Sequence, residues 1–160
     1  KKETFIISQS ISVIGYILFW FLFIPGKPYM FLFALPFFSF GIGGLFTLMM
    51  SMTADTCDYE ELENGLPRKE GSFGAIYWWM VKLGTALAGL LSGLIMYYVG
   101  FSSDASSQPE GALTGLRIAY STIPVLGTLI AIYVMSDYEI NEDRAAEIRS
   151  QLQERKGEIN

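Results

Sequence analysis

The chain has 160 residues, of which 51% are hydrophobic and 15% aromatic, and its mean hydropathy of +0.36 already includes a polar tail. This composition favours a membrane protein over a soluble domain. The net charge of −5 and the lack of a basic stripe give no sign of a nucleic-acid partner. With one cysteine, Cys57, and no histidine, the chain cannot build a disulfide framework or a His/Cys metal site by itself.

Four charge-poor segments are each long enough to cross a bilayer as a helix, which takes about 20 residues. They cover residues 4–24, 29–54, 73–101 and 112–136. The sequence therefore predicts an all-α membrane protein, with a transmembrane segment over residues 1–137 and a cytoplasmic tail over residues 138–160. The first segment is too long for a signal-peptide core and lacks a cleavage site, so we expect a true span. Because the chain begins with Lys1 rather than Met, we expect further residues upstream.

The positive charges fall mostly on one side of the predicted bundle, which sets its orientation. If the four spans alternate, this side carries Lys1, Lys2, Arg68, Lys69, Arg144, Arg149, Arg155 and Lys156, and the other side carries Lys27 and Arg117. This bias predicts a multi-pass protein of the cell (inner or plasma) membrane, with both ends of the chain and the 55–72 loop in the cytoplasm.

The 55–72 loop is strongly charged, and its first two carboxylates have helical spacing. Asp55 and Asp58 are three residues apart, so they share a face if the second span continues through them. Carboxylates at a helix C-terminus oppose the macrodipole and need cationic partners, which Arg68 and Lys69 can supply by folding back. One interpretation is a solvated loop with weak surface pairs, and the other is a charged latch that closes the cytoplasmic side.

Lys82 interrupts a third span that is otherwise free of charge. A helix that enters the membrane at Phe73 places Lys82 roughly 14 Å deep, near the middle of a hydrocarbon core about 30 Å thick. Inserting a central lysine costs about 2.5–3.5 kcal/mol, so its ammonium should face a bundle interior or a wet cavity and have a partner. We interpret Lys82 as part of a solute or ion pathway; the alternatives are snorkelling to the interface and a purely structural ion pair.

Small residues share the Lys82 face of the third span. Ala86, Gly89 and Gly93 follow at intervals of three and four, and Gly89 and Gly93 form a GxxxG pair, so we expect this face to pack against a neighbouring helix. Trp78 lies one turn before Lys82 on the same face. It belongs either to an interfacial aromatic belt or to a site where it stacks on a solute ring.

The tail carries a weaker pattern. Ala145, Ile148 and Leu152 recur at helical spacing within residues 142–156, which predicts a short amphipathic cytoplasmic helix. We expect this helix to pack loosely or to lie on the membrane surface, and to serve as an anchor.

An ordered set of charged residues resembles one known family of carriers. The set reads Asp55-x-x-Asp58-Tyr59-x-Glu61, then Gly65, then Arg68-x-Glu70-Gly71, then Lys82-Leu83-Gly84. It is similar to the segment that joins the tenth and eleventh helices of the glycoside-pentoside-hexuronide:cation symporters, the melibiose-permease family of the major facilitator superfamily. The tail adds Glu147-Ile148, Leu152 and Arg155, which resemble the family's C-terminal end. By this resemblance, the four spans correspond to helices nine to twelve, and eight helices precede them.

The resemblance implies cation-coupled symport of a sugar or glycoside by alternating access. Lys82, with Trp78 beside it, would then bind the solute, while Asp55, Asp58 and Arg68 would form a cytoplasmic gate when the carrier faces outward. No cofactor or bound metal is implied, because the ligands of the coupling Na+, H+ or Li+ lie mainly in the absent first half. The expected partners are the lipid bilayer, the missing N-terminal helices and the solute.

Two other functions remain open. A carrier of the same superfamily could move a lipid or another amphiphile, which phenylalanine-rich spans would suit. Alternatively, the chain could be a non-transporting membrane subunit that scaffolds a larger complex. An enzyme is not expected, because the sequence has no phosphate-binding glycine loop, no histidine base and no nucleophile motif.

Overall fold

A computed structural model describes residues 1–24, 26–27, 29–65, 67–104, 107–109 and 111–158. These described residues form five α-helices, one short 3-10 helix and no β-strand. The α-helices are α1 (Lys2–Leu22), α2 (Leu35–Asn64), α3 (Glu70–Tyr98), α4 (Ala112–Ser136) and α5 (Glu142–Glu158). The first four are long and apolar enough to cross a membrane, so the predicted all-α architecture with four spans is confirmed.

The second helix differs most from its predicted bounds. A 3-10 turn at Met30–Phe33 precedes it, and α2 itself begins at Leu35, with a proline in its first turn. At the other end, α2 continues ten residues past the predicted limit at residue 54 and stops at Asn64. Gly65 ends it with a φ of +63°, a left-handed conformation that glycine adopts without a Cβ penalty. The charged residues 55–64, expected in a loop, are therefore helical.

Small and polar residues bring α1 close to α2. Ser8, Gln9 and Ser12 are buried, and Gln9 Nε2 donates a hydrogen bond of 2.9 Å to the Gly41 carbonyl oxygen. Small side chains let helix backbones approach, and polar ones then bond across the contact, as is common inside membranes. α1 packs in the same way against α4, where Ser121 Oγ donates to the Tyr16 carbonyl oxygen at 3.1 Å. α1 is therefore the central helix of the described bundle.

Gly41 offers a test of this packing. A Cβ added to Gly41 would overlap the Ser12 side chain and lie 3.1 Å from the Ser8 carbonyl oxygen, whereas a Cβ on Gly43 meets no described atom within 4 Å. We expect Gly41→Ala to lower the thermal unfolding midpoint of the full-length protein, because overpacking costs about 1–3 kcal/mol. Gly43→Ala is the matched control, and its gain in helix propensity is about 0.8–1 kcal/mol. Equal shifts of the two midpoints would contradict the α1–α2 contact.

Cations from neighbouring helices cap two helix C-termini. Arg117 of α4 donates a hydrogen bond of 2.5 Å to the Trp20 carbonyl oxygen in the last turn of α1, and its guanidinium lies 4.9 Å from the centre of the Trp20 ring. At the opposite end of the bundle, Lys2 of α1 donates to the carbonyl oxygen of Ser136, the last residue of α4, at 2.5 Å. Terminal carbonyls lack intrahelical partners and carry the negative end of the macrodipole, so both bonds fasten α1 to α4.

The tail helix packs more tightly than expected. The predicted amphipathic helix is present as α5, and its apolar residues Ala145, Ile148 and Leu152 are buried, with Ile148 0% exposed. α5 contacts the C-terminal part of α2. The expectation of loose packing is therefore wrong for the described chain, because the apolar face of α5 is covered by protein.

Candidate functional site

Four carboxylates in the last three turns of α2 each pair with a cation from another segment. The pairs are Lys1–Asp55 (2.5 Å), Arg68–Asp58 (3.1 Å), Lys69–Glu60 (2.5 Å) and Lys156–Glu61 (2.9 Å). We call these eight residues the charged end. The cations come from the start of α1, from the α2–α3 connection and from α5, and they offset the unfavourable position of acidic side chains at a helix C-terminus. Three segments are thus fixed to one helix by ion pairs.

The structure brings together one of the two predicted gate pairings. Arg68 lies 3.1 Å from Asp58, whereas Asp55 pairs with Lys1 instead. Both aspartates are buried, with 5% of Asp55 and 9% of Asp58 exposed, while the Arg68 side chain is 38% exposed and also contacts the exposed Glu70 at 2.8 Å. In this pair the carboxylate is buried, while its cationic partner is partly exposed.

The local sequence explains how Arg68 and Lys69 reach the carboxylates. Gly65 ends α2 and reverses the chain, and α3 begins at Glu70, only a few residues later. The two cations therefore lie between antiparallel helix ends, beside the last turn of α2. Leu66, in the same connection, lies outside the described residues.

Tyr138 adds a neutral polar group beside Asp55. It lies two residues after Ser136, the last residue of α4, and so outside the four long helices. Burial raises the pKa of the Tyr138 phenol, and the Asp55 carboxylate raises that pKa further, with the Thr56 hydroxyl offsetting part of the rise. Tyr138 therefore stays protonated at neutral pH, and it adds no negative charge next to the Lys1–Asp55 pair.

Lys82 lies near the middle of α3, and its side chain is exposed. Among the residues that the structure describes, no carboxylate lies within 4.0 Å of its ammonium. Trp78 is 48% exposed one turn earlier and packs edge-on against Tyr77, with ring centres 5.3 Å apart. Lys82 and Trp78 are thus both accessible, and the partner that the mid-span position requires is not a described residue.

The Lys82 face of α3 points away from α4. A cavity of about 410 Å³ between these helices is lined by Gly84 and Leu91 of α3 and by Tyr120 and Pro124 of α4. At 100° per residue, Lys82 lies on the opposite side of α3 from those cavity-lining residues. On its side, a Cβ added to Gly89 or Gly93 meets no described atom within 4 Å. The helix expected to pack on this face therefore does not belong to the described chain.

The sequence did not predict several of the residues that make contacts at the charged end. These are Lys1, Glu60, Glu61 and Lys156, together with Arg155, which donates to the Glu61 carbonyl oxygen at 3.0 Å. Glu61 carried a usable signal, because residues 55, 58 and 61 repeat every three positions on one helix face. No local spacing links Glu61 to a cation 95 positions later, so that pair required the fold.

Comparison with known proteins identifies the class of molecule to which this site belongs. The family model described as MFS/sugar transport protein matches residues 1–142. The chain is 29% identical, over 98% of its length, to the "Glucuronide carrier protein homolog" of Escherichia coli, of which it covers 34%. It is 32% identical over 66% of its length to the "Putative glycoside/cation symporter YagG" of the same organism, and 33% identical over 73% to the "Putative sulfoquinovose importer".

The chain spans only part of these relatives, since it covers 23% of the second and 25% of the third. No solved structure is significantly similar to it. The family match nevertheless covers most of the chain, including all four long apolar helices and the α2–α3 connection. The resemblance drawn from the charged residues is therefore confirmed, and the chain belongs to the MFS/sugar transport protein family of multi-pass membrane transporters.

Proposed function

We propose that the chain is the C-terminal part of a secondary active transporter that moves a sugar or glycoside together with a cation by alternating access. Its four spans then correspond to helices nine to twelve of a major facilitator carrier, with residues 138–160 as a cytoplasmic tail. The observation that carries this proposal is the family match over residues 1–142. The names of the relatives, which include a glucuronide carrier and a glycoside/cation symporter, support a glycosidic solute.

Lys82 is the residue that we assign to the solute. It is an exposed mid-span cation, and the described chain supplies no carboxylate for it. In the complete carrier the helices outside this chain enclose the Lys82 face, so the ammonium donates hydrogen bonds to solute hydroxyls or pairs with a carboxylate from the other half. The Trp78 ring, one turn away, supplies a flat apolar surface for a sugar ring. The ligands of the coupling Na+, H+ or Li+ belong mainly to the other half.

In this proposal Asp55, Asp58 and Arg68 of the charged end form the cytoplasmic gate, and both ends of the chain lie in the cytoplasm. Asp58 and Arg68 remain paired while the carrier faces outward, and the pair opens when the carrier faces inward. Because Arg68 is partly exposed, opening of the pair leaves no buried cation, and the buried Asp58 carboxylate gains water as the cytoplasmic side opens. Asp55, tied to Lys1, fixes α2 to α1 on the same side.

Solute counterflow in proteoliposomes tests the substrate class. The full-length carrier is reconstituted, preloaded with an unlabelled glucuronide, a neutral glycoside or a free hexose, and then exposed to the labelled compound. We expect transient accumulation of at least one glycoside, because exchange through a central site requires no coupling gradient. Protein-free liposomes serve as the control.

The alternative functions predict other outcomes in the same vesicles. Flux of a fluorescent lipid without glycoside exchange would replace the sugar carrier with a carrier of amphiphiles. Absence of both fluxes from a folded, full-length protein would favour a scaffolding subunit.

A further inference from the structure

α5 packs against the C-terminal part of α2, which carries the carboxylates of the charged end. Its buried Ile148 and Leu152 face the protein, and a cavity of about 240 Å³ lies between α5 and the Asp58–Arg68 pair. That cavity is lined by Asp58 and Arg68 on one side and by Arg149, Leu152, Gln153 and Lys156 of α5 on the other. α5 therefore borders the pair that we assign to the gate.

Two cations in the last turn of α5 hold the last turn of α2. Arg155 donates to the carbonyl oxygens of Glu61 and Leu62, at 3.0 and 3.5 Å, and the Glu61 oxygen also accepts the Gly65 N–H at 3.1 Å. Lys156 pairs with the Glu61 carboxylate, which is 5% exposed. The second carboxylate oxygen of Glu61 is buried and accepts no hydrogen bond from a described residue. Because a buried charge without a partner is costly, the position of Glu61 depends on α5.

We propose that α5 is a clamp on the gate, with Arg155 and Lys156 as positioning residues that keep the end of α2 where Asp58 meets Arg68. Opening of the Asp58–Arg68 pair then requires α5 to release α2 or to move with it. The inference rests on the proposed function, since it takes that pair as the gate. It replaces the passive anchor expected from the sequence with an element that biases the two conformations of the carrier.

Cys57 can report whether α5 holds the end of α2 in place. Cys57 is 1% exposed and lies on α2 between Asp55 and Asp58. In the full-length carrier, with every other cysteine replaced by serine, the rate at which a membrane-impermeant maleimide labels Cys57 measures how often the end of α2 becomes accessible. We expect Arg155→Gln to raise this rate about tenfold, because loss of charged hydrogen bonds to a helix end favours the released state.

The matched control is Arg144→Gln on the same helix. Arg144 is exposed and bonds Glu147 within α5 at 2.7 Å, so its loss should leave the labelling rate of Cys57 unchanged. If Arg155→Gln fails to accumulate, Lys156→Gln probes the Glu61 contact instead. Equal labelling of a folded α5 variant and the Arg144→Gln control would overturn the clamp.

A double-mutant cycle separates a clamp from a merely structural helix. If α5 acts on the gate, Arg155→Gln should add little to the labelling already raised by Asp58→Asn, so the two effects are not additive. Additive effects would show that α5 stabilises the fold without acting on the gate. Labelling needs no solute, so a negative result leaves sugar transport standing, and a failed search for transported sugars leaves the clamp testable.

Discussion

Replacement of Lys82 by alanine is expected to abolish concentrative uptake while the carrier reaches the membrane in normal amounts. The substitution removes the charge and all three donors of the ammonium. Hydrogen bonds to a charged group contribute about 1.5–3 kcal/mol, and a difference of about 1.4 kcal/mol changes an equilibrium tenfold, so uptake should fall by about 10- to 150-fold. The measurement is solute uptake normalised to carrier abundance.

Two further variants locate the cause of that loss. Lys82→Arg keeps the charge but brings a planar, bulkier head, and we expect it to abolish concentrative uptake as well, because a guanidinium does not replace a compact ammonium in a tight site. Lys27→Ala removes a lysine between α1 and α2, away from the proposed solute path, and should transport normally. A structural ion pair at Lys82 predicts reduced abundance with uptake per molecule preserved. Wild-type uptake by Lys82→Ala would rule out the central-site role.

The second large effect is expected from Asp58→Asn, which should shift the carrier toward inward-open forms. The Asp58 side chain is mostly buried and faces Arg68 at 3.1 Å, but Arg68 is partly solvated. The loss should therefore lie between that of a surface pair, about 0–1 kcal/mol, and that of a buried one, about 3–5 kcal/mol. Net uptake should slow more than solute binding weakens. Maleimide labelling of Cys57 and solute affinity are measured on the same preparation.

Glu70→Gln is the matched control for the gate. Glu70 contacts the same Arg68 at 2.8 Å, but its side chain is 66% exposed, so water screens the pair and its loss should change little. If Asp58→Asn and Glu70→Gln behave alike, with normal uptake and normal labelling, the charged end is a solvated surface and not a gate.

Much of the fold could be predicted because membrane spans follow from a simple one-dimensional pattern. A long apolar stretch in lipid has to satisfy its backbone internally, so it becomes a helix. The predicted end of α2 was wrong. Residues 55–64 are charged, yet they continue α2 until Gly65, because cations from other segments pair with their carboxylates. The charges of residues 55–64 predicted a loop, but ion pairs with distant residues stabilise a helix there.

In the candidate site too, contacts between residues close in sequence were predictable and contacts between distant residues were not. The Asp58–Arg68 pair was predictable because the two residues lie only ten positions apart, on either side of the turn at Gly65. Lys1 and Lys156 were not, because a single sequence carries no record of which distant cations share a surface with α2. For Lys82 the position could be predicted, but not its contacts. Its depth can be predicted from the sequence, but the described part of the chain does not supply the residues that would surround its ammonium.

Gradient-driven accumulation tests cation-coupled sugar transport most directly. The full-length carrier is reconstituted into proteoliposomes with the labelled glycoside at equal concentration on both sides, and an inward Na+, H+ or Li+ gradient is then imposed. Symport predicts that the glycoside accumulates above its external concentration and that an ionophore for the coupling cation abolishes this accumulation. A glycoside concentration that stays equal on both sides, under every gradient and with a carrier that still exchanges solute, would contradict coupling.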